Sequence, residues 1–151
     1  MLPHVIGSSL HYIAVFLLVG AVVAELYLLK LKPTVDVVSV IARADLVYGI
    51  GAVLVLMTGL SGVFHSGKGV AYYLHNGAFH AAITCFVLAG LLSIAPTLRY
   101  LRWRKAAVLG GTVPSETEWK AQRKWVHLQL GLFAVIAVCM SMMARGVGSF
   151  S

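Results

Sequence analysis

Charge is what this sequence has least of. Twelve Lys and Arg and five Asp and Glu make up 11% of its 151 residues, under half of the roughly 25% carried by soluble domains. Acids are the scarcer kind, so the formal net charge is +7. Cysteine is nearly missing. Cys85 and Cys139 both sit in apolar runs, which gives no disulfide framework and reads as packed thiols. No Ser/His/Asp set, no paired catalytic carboxylates and no nucleotide fingerprint is present. Gly67-Lys68-Gly69 lacks the upstream glycine and following hydroxyl of a phosphate loop. What is there is apolar: 60% hydrophobic residues and a mean hydropathy of +0.89. A soluble domain of this size has no way to hide that much apolar surface. The composition excludes a disordered chain, a nucleic-acid-binding domain and a secreted disulfide scaffold.

Four runs with little or no charge, about 5–29, 46–64, 77–98 and 125–144, reach the roughly 20 residues that a bilayer requires. Lys32-Pro33, the Ser66–Gly69 turn, and Gly110-Gly111 with Pro114 punctuate them, and no repeat or low-complexity tract appears. The expected fold is all-α: one four-transmembrane-helix bundle over residues 1–151. Ten of the twelve bases fall in the first and third loops: Lys30, Lys32 and Arg43, then Arg99, Arg102, Arg104, Lys105, Lys120, Arg123 and Lys124. Positive loops stay cytoplasmic, so both termini are expected on the outer, periplasmic side. Residues 1–6 carry no Lys or Arg and the first apolar run exceeds a signal core, so that run reads as a retained helix. Past the third span the chain is expected to continue as a basic stretch, Arg99 to Lys105. Ser115 and Glu118 have capping-box spacing, which starts a helix ahead of the fourth span.

At about 100° per residue, small and polar residues line one face of each run. The faces are His4, Gly7, Ser8, His11 and Glu25; Asp45, Tyr48, Gly51, Ala52, Gly59, Gly62 and Ser66; Asn76, Gly77, His80 and Thr84; and His127, Gly131, Ala134, Ser141 and Arg145. Membrane helix interfaces select such residues, so a polar seam is expected. Five of the six histidines (His4, His11, His65, His75 and His80) fall toward the expected outer side, and His127 beside Trp125 reads as an interface anchor.

Intramembrane ionisable residues mark functional sites by default. His11 and His80 are expected at matched depth on parallel helices, and two facing imidazoles suit the axial positions of a haem iron. Lys68 and Arg145 then serve as propionate partners, and Tyr48 lies in the cofactor pocket. The bland alternative is that each histidine only hydrogen-bonds a neighbouring helix. Met57, Met140, Met142 and Met143 with His and Cys permit copper, although their spacing matches no specific copper motif. Glu25 is expected to pair with Arg43 or the Arg99 cluster, while Arg43 and Asp45 bracket the start of the second helix as an interfacial pair.

The segments Leu10–Val15, Arg43–Gly49, Thr58-Gly59-Leu60, Gly67-Lys68-Gly69 with Tyr72-Tyr73, Pro96-Thr97 with Trp103-Arg104, and Met143–Gly146 form an ordered set along nearly the whole chain. That set resembles a family of bacterial four-helix inner-membrane proteins known as a domain of unknown function, which implies the fold and the inner membrane but no activity. The early His11, then Gly20 and an aromatic-leucine helix end, also resembles the HemJ-type membrane protoporphyrinogen oxidase, a helical bundle carrying haem b. Where that family would have a lysine early in the third span, this chain has Ala82 or Ile83. The resemblance therefore implies haem binding at His11 and not the oxidase reaction.

The expectation is a b-type haem protein of the bacterial inner membrane, with a redox or electron-transfer role near the periplasmic face. The corresponding enzyme class is a membrane haem oxidoreductase. The alternative is a cofactor-free accessory or structural subunit of a larger membrane complex. Expected partners are the lipid bilayer and either further copies of the chain or a respiratory-type complex; nucleic acid is not one.

Overall fold

A computed structural model describes residues 2–65 and 67–150; the side chain of His4 and the whole of Ser66 lie outside the described residues. Six helices follow one another: α1 (Leu2–Leu28), α2 (Val35–His65), α3 (Val70–Leu74), α4 (Gly77–Gly110), α5 (Glu116–Ala121) and α6 (Arg123–Ala144). Four stretches are long and apolar enough to cross a membrane: Val5–Leu28, Val35–His65, Gly77–Gly110 and Glu116–Ala144. α1 packs along α2, α2 against α4, α4 along α6, and α6 back on α1, which leaves α1 and α4 on a diagonal of the bundle. The result is an up-down-up-down bundle with two unlike ends. One end, here the histidine end, gathers the start of α1, the α2–α3–α4 corner and the C-terminal tail. The other, the basic end, gathers the α1–α2 loop, the end of α4, and α5.

The register of α1 on α2 is set by glycine. A Cβ on Gly51 would stand 3.1 Å from the Leu18 backbone, and one on Gly59 would stand 3.3 Å from Cε1 of His11. Without side chains at these two points the antiparallel helices approach closely, which replaces the hydrophobic drive that lipid removes. Carried toward the basic end, the same register brings Glu25 of α1 level with Asp45 of α2.

Large side chains concentrate at the basic end, where Trp119, Tyr100, Leu29, Val38, Ile41 and Val126 are fully buried. Toward the histidine end the interior is built of Ala14, Ala78 and Ala82. Helix termini are closed locally. Nε1 of Trp119 donates to the Leu31 carbonyl at 3.0 Å, and the Arg123 guanidinium donates to the Leu29 carbonyl at 2.9 and 3.1 Å, satisfying carbonyls that the end of α1 leaves open. Asn76 caps α4 by accepting from the Ala78 and Phe79 amides, and its Nδ2 donates to the Val147 carbonyl, tying the C-terminal tail to that corner. α4 runs on past Pro96 through the basic stretch, and the capping box of Ser115 and Glu118 opens α5, both as the sequence implies.

Two expectations need correction. α2 starts at Val35 rather than near residue 46, so Asp45 lies ten residues inside the helix and not at its start. The buried stripe of α4 is Ala78, Ala82, Ala89, Pro96 and Tyr100. His80 is two residues from Ala78 and Ala82, about 200° round the helix from either, and both it and Thr84 are exposed. Small size, not polarity, decided which face went inward. On α6 the expected face also turns outward, but there size does not select it: Val126, Gln129 and Met143 are buried while Gly131, Ala134 and Ser141 are exposed.

Candidate functional site

His11 is half-buried on α1 with its ring over the bare Cα of Gly59. Its Nδ1 is 2.9 Å from Oγ1 of Thr58. The Thr58 hydroxyl has one proton, and it is given back to its own helix at the Leu54 carbonyl, 2.6 Å away. Thr58 must therefore accept from His11, which puts the ring proton on Nδ1 and leaves the lone pair on Nε2. Among the described residues the side-chain hydrogen bond resolved at the ring is the one at Nδ1, and the Val55 carbonyl is a further acceptor for the same imidazole. A histidine whose second nitrogen is held by a donor-acceptor partner is the usual arrangement of a metal-ligating imidazole. As a base or as a ligand, His11 is ready at one nitrogen.

His80 lies on the diagonal helix and is not brought to His11. Its Nε2–H donates to the Leu74 carbonyl at 2.9 Å, and its ring lies edge-on to Phe79. Engagement of Nε2 and the outward face remove it from the interior. The other exposed histidines behave as interface residues: His65, His75 and His127 each bond the carbonyl four residues back, on Ser61, Ala71 and Arg123.

Lys68 and Arg145 do share the histidine end. Nζ of Lys68 sits 4.6 Å above the Tyr72 ring, and the Tyr72 hydroxyl donates to the Met143 carbonyl, two residues before Arg145. Arg145 closes α6 and lines a shallow lateral groove with Ala137, Ser141 and Val147. Tyr48 belongs elsewhere. It is buried, its hydroxyl donates to the Ala89 carbonyl at 3.4 Å, and on α2 it stands eleven residues from Gly59, the residue touching His11. Eleven residues are about 16 Å of helix. Of the five residues assigned to a haem pocket, His11, Lys68 and Arg145 share the histidine end, His80 has its Nε2 bonded to Leu74, and Tyr48 lies deeper in the bundle.

The sequence underrated the basic end. Glu25 and Asp45 are buried at 2% and 5% exposure, and neither has an ion-pair partner; among the described residues Lys120–Glu116 is the one salt bridge. The expected pairing of Glu25 with Arg43 or the Arg99 cluster does not form. Arg43 points outward, and Nη1 of Arg99 donates to Oε1 of Gln122 at 3.1 Å. Asp45 instead accepts from the Thr97 hydroxyl at 2.8 Å. The signal was available as two acids placed either side of the first turn, but reading residues 35–45 as loop hid it.

Comparison with known proteins gives one match. A family model described as predicted membrane protein (DUF2214) covers residues 4–148. No curated protein and no solved structure matches. The chain belongs to that family of membrane proteins.

Proposed function

We propose that this DUF2214 member is a redox protein of a bacterial inner membrane that holds b-type haem through Nε2 of His11, near the periplasmic face. The observation that carries the reading is the hydrogen-bond chain from His11 through Thr58 to Leu54, which leaves Nε2 as the acceptor nitrogen. Thr58 orients the ring, and Gly59 gives it room. Lys68 and Arg145 supply positive charge at the same end for propionates. Haem would contribute a one-electron ferric–ferrous couple. His11 would hold the haem without His80, because Nε2 of His80 is spent on Leu74. The periplasmic placement follows from the basic loops, which put the histidine end outside.

The test is the visible spectrum of the detergent-purified chain, oxidised and then reduced with dithionite. A reduced α-band is expected that shifts with carbon monoxide, disappears in His11→Ala and persists in His80→Ala. A band lost in both variants and insensitive to carbon monoxide would restore His80 as a second ligand. A sample that stays colourless after added hemin moves the function to the second reading, a cofactor-free accessory subunit of a larger membrane complex. That reading is favoured by Gly131, Ala134 and Ser141 on the exposed face of α6, since small residues are what helix–helix contacts in lipid use.

A further inference from the structure

The haem reading leaves the acids of the basic end without a role. Of the chain's five acidic residues, Asp36, Glu116 and Glu118 are exposed and only Glu25 and Asp45 are buried. These two come from facing helices at one level, fixed by the Leu18–Gly51 and His11–Gly59 contacts. α4 contributes Thr97, bonded to Asp45 at 2.8 Å, and one turn further along the same buried side Tyr100. Tyr100 is wholly buried and its hydroxyl has no partner; Oε1 of Glu25 is likewise buried without one. Both carboxyls lie within electrostatic reach of that hydroxyl and of Tyr48. The interior therefore holds an orphaned donor and an orphaned acceptor beside a second acid.

Among the described residues no cation pairs with them. On α2 Arg43 is exposed, on α4 Arg99 is bonded to Gln122, and on α6 Arg123 is committed to the Leu29 carbonyl. The residues buried nearby at the start of α6, Gln122 just ahead of it and Val126 and Gln129 within it, are uncharged. Two ionised carboxylates in a membrane interior with no partner are not sustainable, and like charges brought together resolve by taking up a proton. A metal ion is the poorer occupant: no group of three or more His, Cys, Asp or Glu able to hold one occurs among the described residues. A proton needs only an acceptor.

We propose that Glu25 and Asp45 form a buried proton-binding site, with Glu25 carrying the proton at neutral pH, Asp45 steadied by Thr97, and the Tyr100 hydroxyl as the adjoining relay group. Glu25 lies one turn from the end of α1, which makes the basic end the nearer of the two for proton exchange. Loading forms one carboxyl O–H bond and turns a hydronium ion into water; no electron moves. The proposal is independent of the haem reading and survives its failure.

The test is attenuated-total-reflection infrared spectroscopy of the full chain in lipid nanodiscs. Wild type at neutral pH is expected to show the C=O stretch of a protonated carboxyl, shifted in D2O. The band should vanish in Glu25→Gln, move in frequency in Asp45→Asn, and remain in Glu116→Gln. Circular dichroism and gel filtration check that each variant is folded, and the wild-type spectrum needs no variant. Absence of the band in wild type at neutral pH overturns the proposal, as does a band indifferent to Glu25→Gln. A band abolished by sodium or potassium at fixed pH also overturns it, giving the site to a metal cation instead.

Discussion

At the scale of single residues, Thr58 does most with least. Its hydroxyl returns its proton to the Leu54 carbonyl and so can only accept from His11. Replacing it with valine keeps the shape and removes the acceptor. The half-buried Nδ1–H of His11 is then unsatisfied, at a cost of about 1–3 kcal/mol, and the ring loses its reason to hold the lone pair on Nε2. With 15N-labelled histidine, His11 of wild type is expected as a single Nδ1–H tautomer, and Thr58→Val as a mixture. A wild-type ring already mixed, or protonated on Nε2, would remove the basis for His11 as a ligand. His11 itself is legible from the sequence as an ionisable residue in an apolar run. Thr58 is not, because it is 47 residues away and only the register of two helices brings it near.

Between elements, the α1–α2 contact rests on Gly51. An added methyl would meet the Leu18 backbone at 3.1 Å, and backbone, unlike a flexible side chain, yields only by moving a helix. Gly51→Ala is expected to destabilise the bundle by about 1–3 kcal/mol, read as a lower midpoint in reversible SDS unfolding. Gly49→Ala, where the added Cβ meets nothing within 4 Å, is the control and should leave the midpoint in place. The contrast between the two glycines is invisible in sequence, as is the phase of α4. Counting polar residues turned His80 and Thr84 inward, whereas packing selected the alanines, since close helix approach in lipid rewards small side chains over hydrogen-bonding ones. The number of spans and their loops were legible because hydropathy and charge are local properties. Where α2 begins was not: Asp36, Arg43 and Asp45 resemble loop charges, yet the 31-residue helix is longer than a bilayer needs. Its first turns carry those charges on two sides, Arg43 outward and Asp45 inward.

For the whole molecule the deciding question is which end faces which compartment. The four spans alternate in direction, and the tail after α6 is bonded back to the α3–α4 corner through Gly77 to Gly148 and Phe150 to His75. The two termini therefore share one end, and Thr112, in the α4–α5 connection, marks the other. Ten bases lie at the basic end, and the positive-inside rule predicts that this end faces the cytoplasm. Single-cysteine variants Ser149→Cys and Thr112→Cys, on a background with Cys85 and Cys139 replaced by alanine, test this with a membrane-impermeant maleimide on intact spheroplasts. Ser149→Cys is expected to label directly and Thr112→Cys only after permeabilisation. The outcome also fixes the chemistry's direction. With the basic end inside, Glu25 and Asp45 exchange protons with the cytoplasm while His11 faces the opposite compartment, so the two sites sample different pools. The reverse labelling pattern would exchange the compartments of both sites together, because the register that sets Glu25 against Asp45 is the one that sets His11 on Gly59.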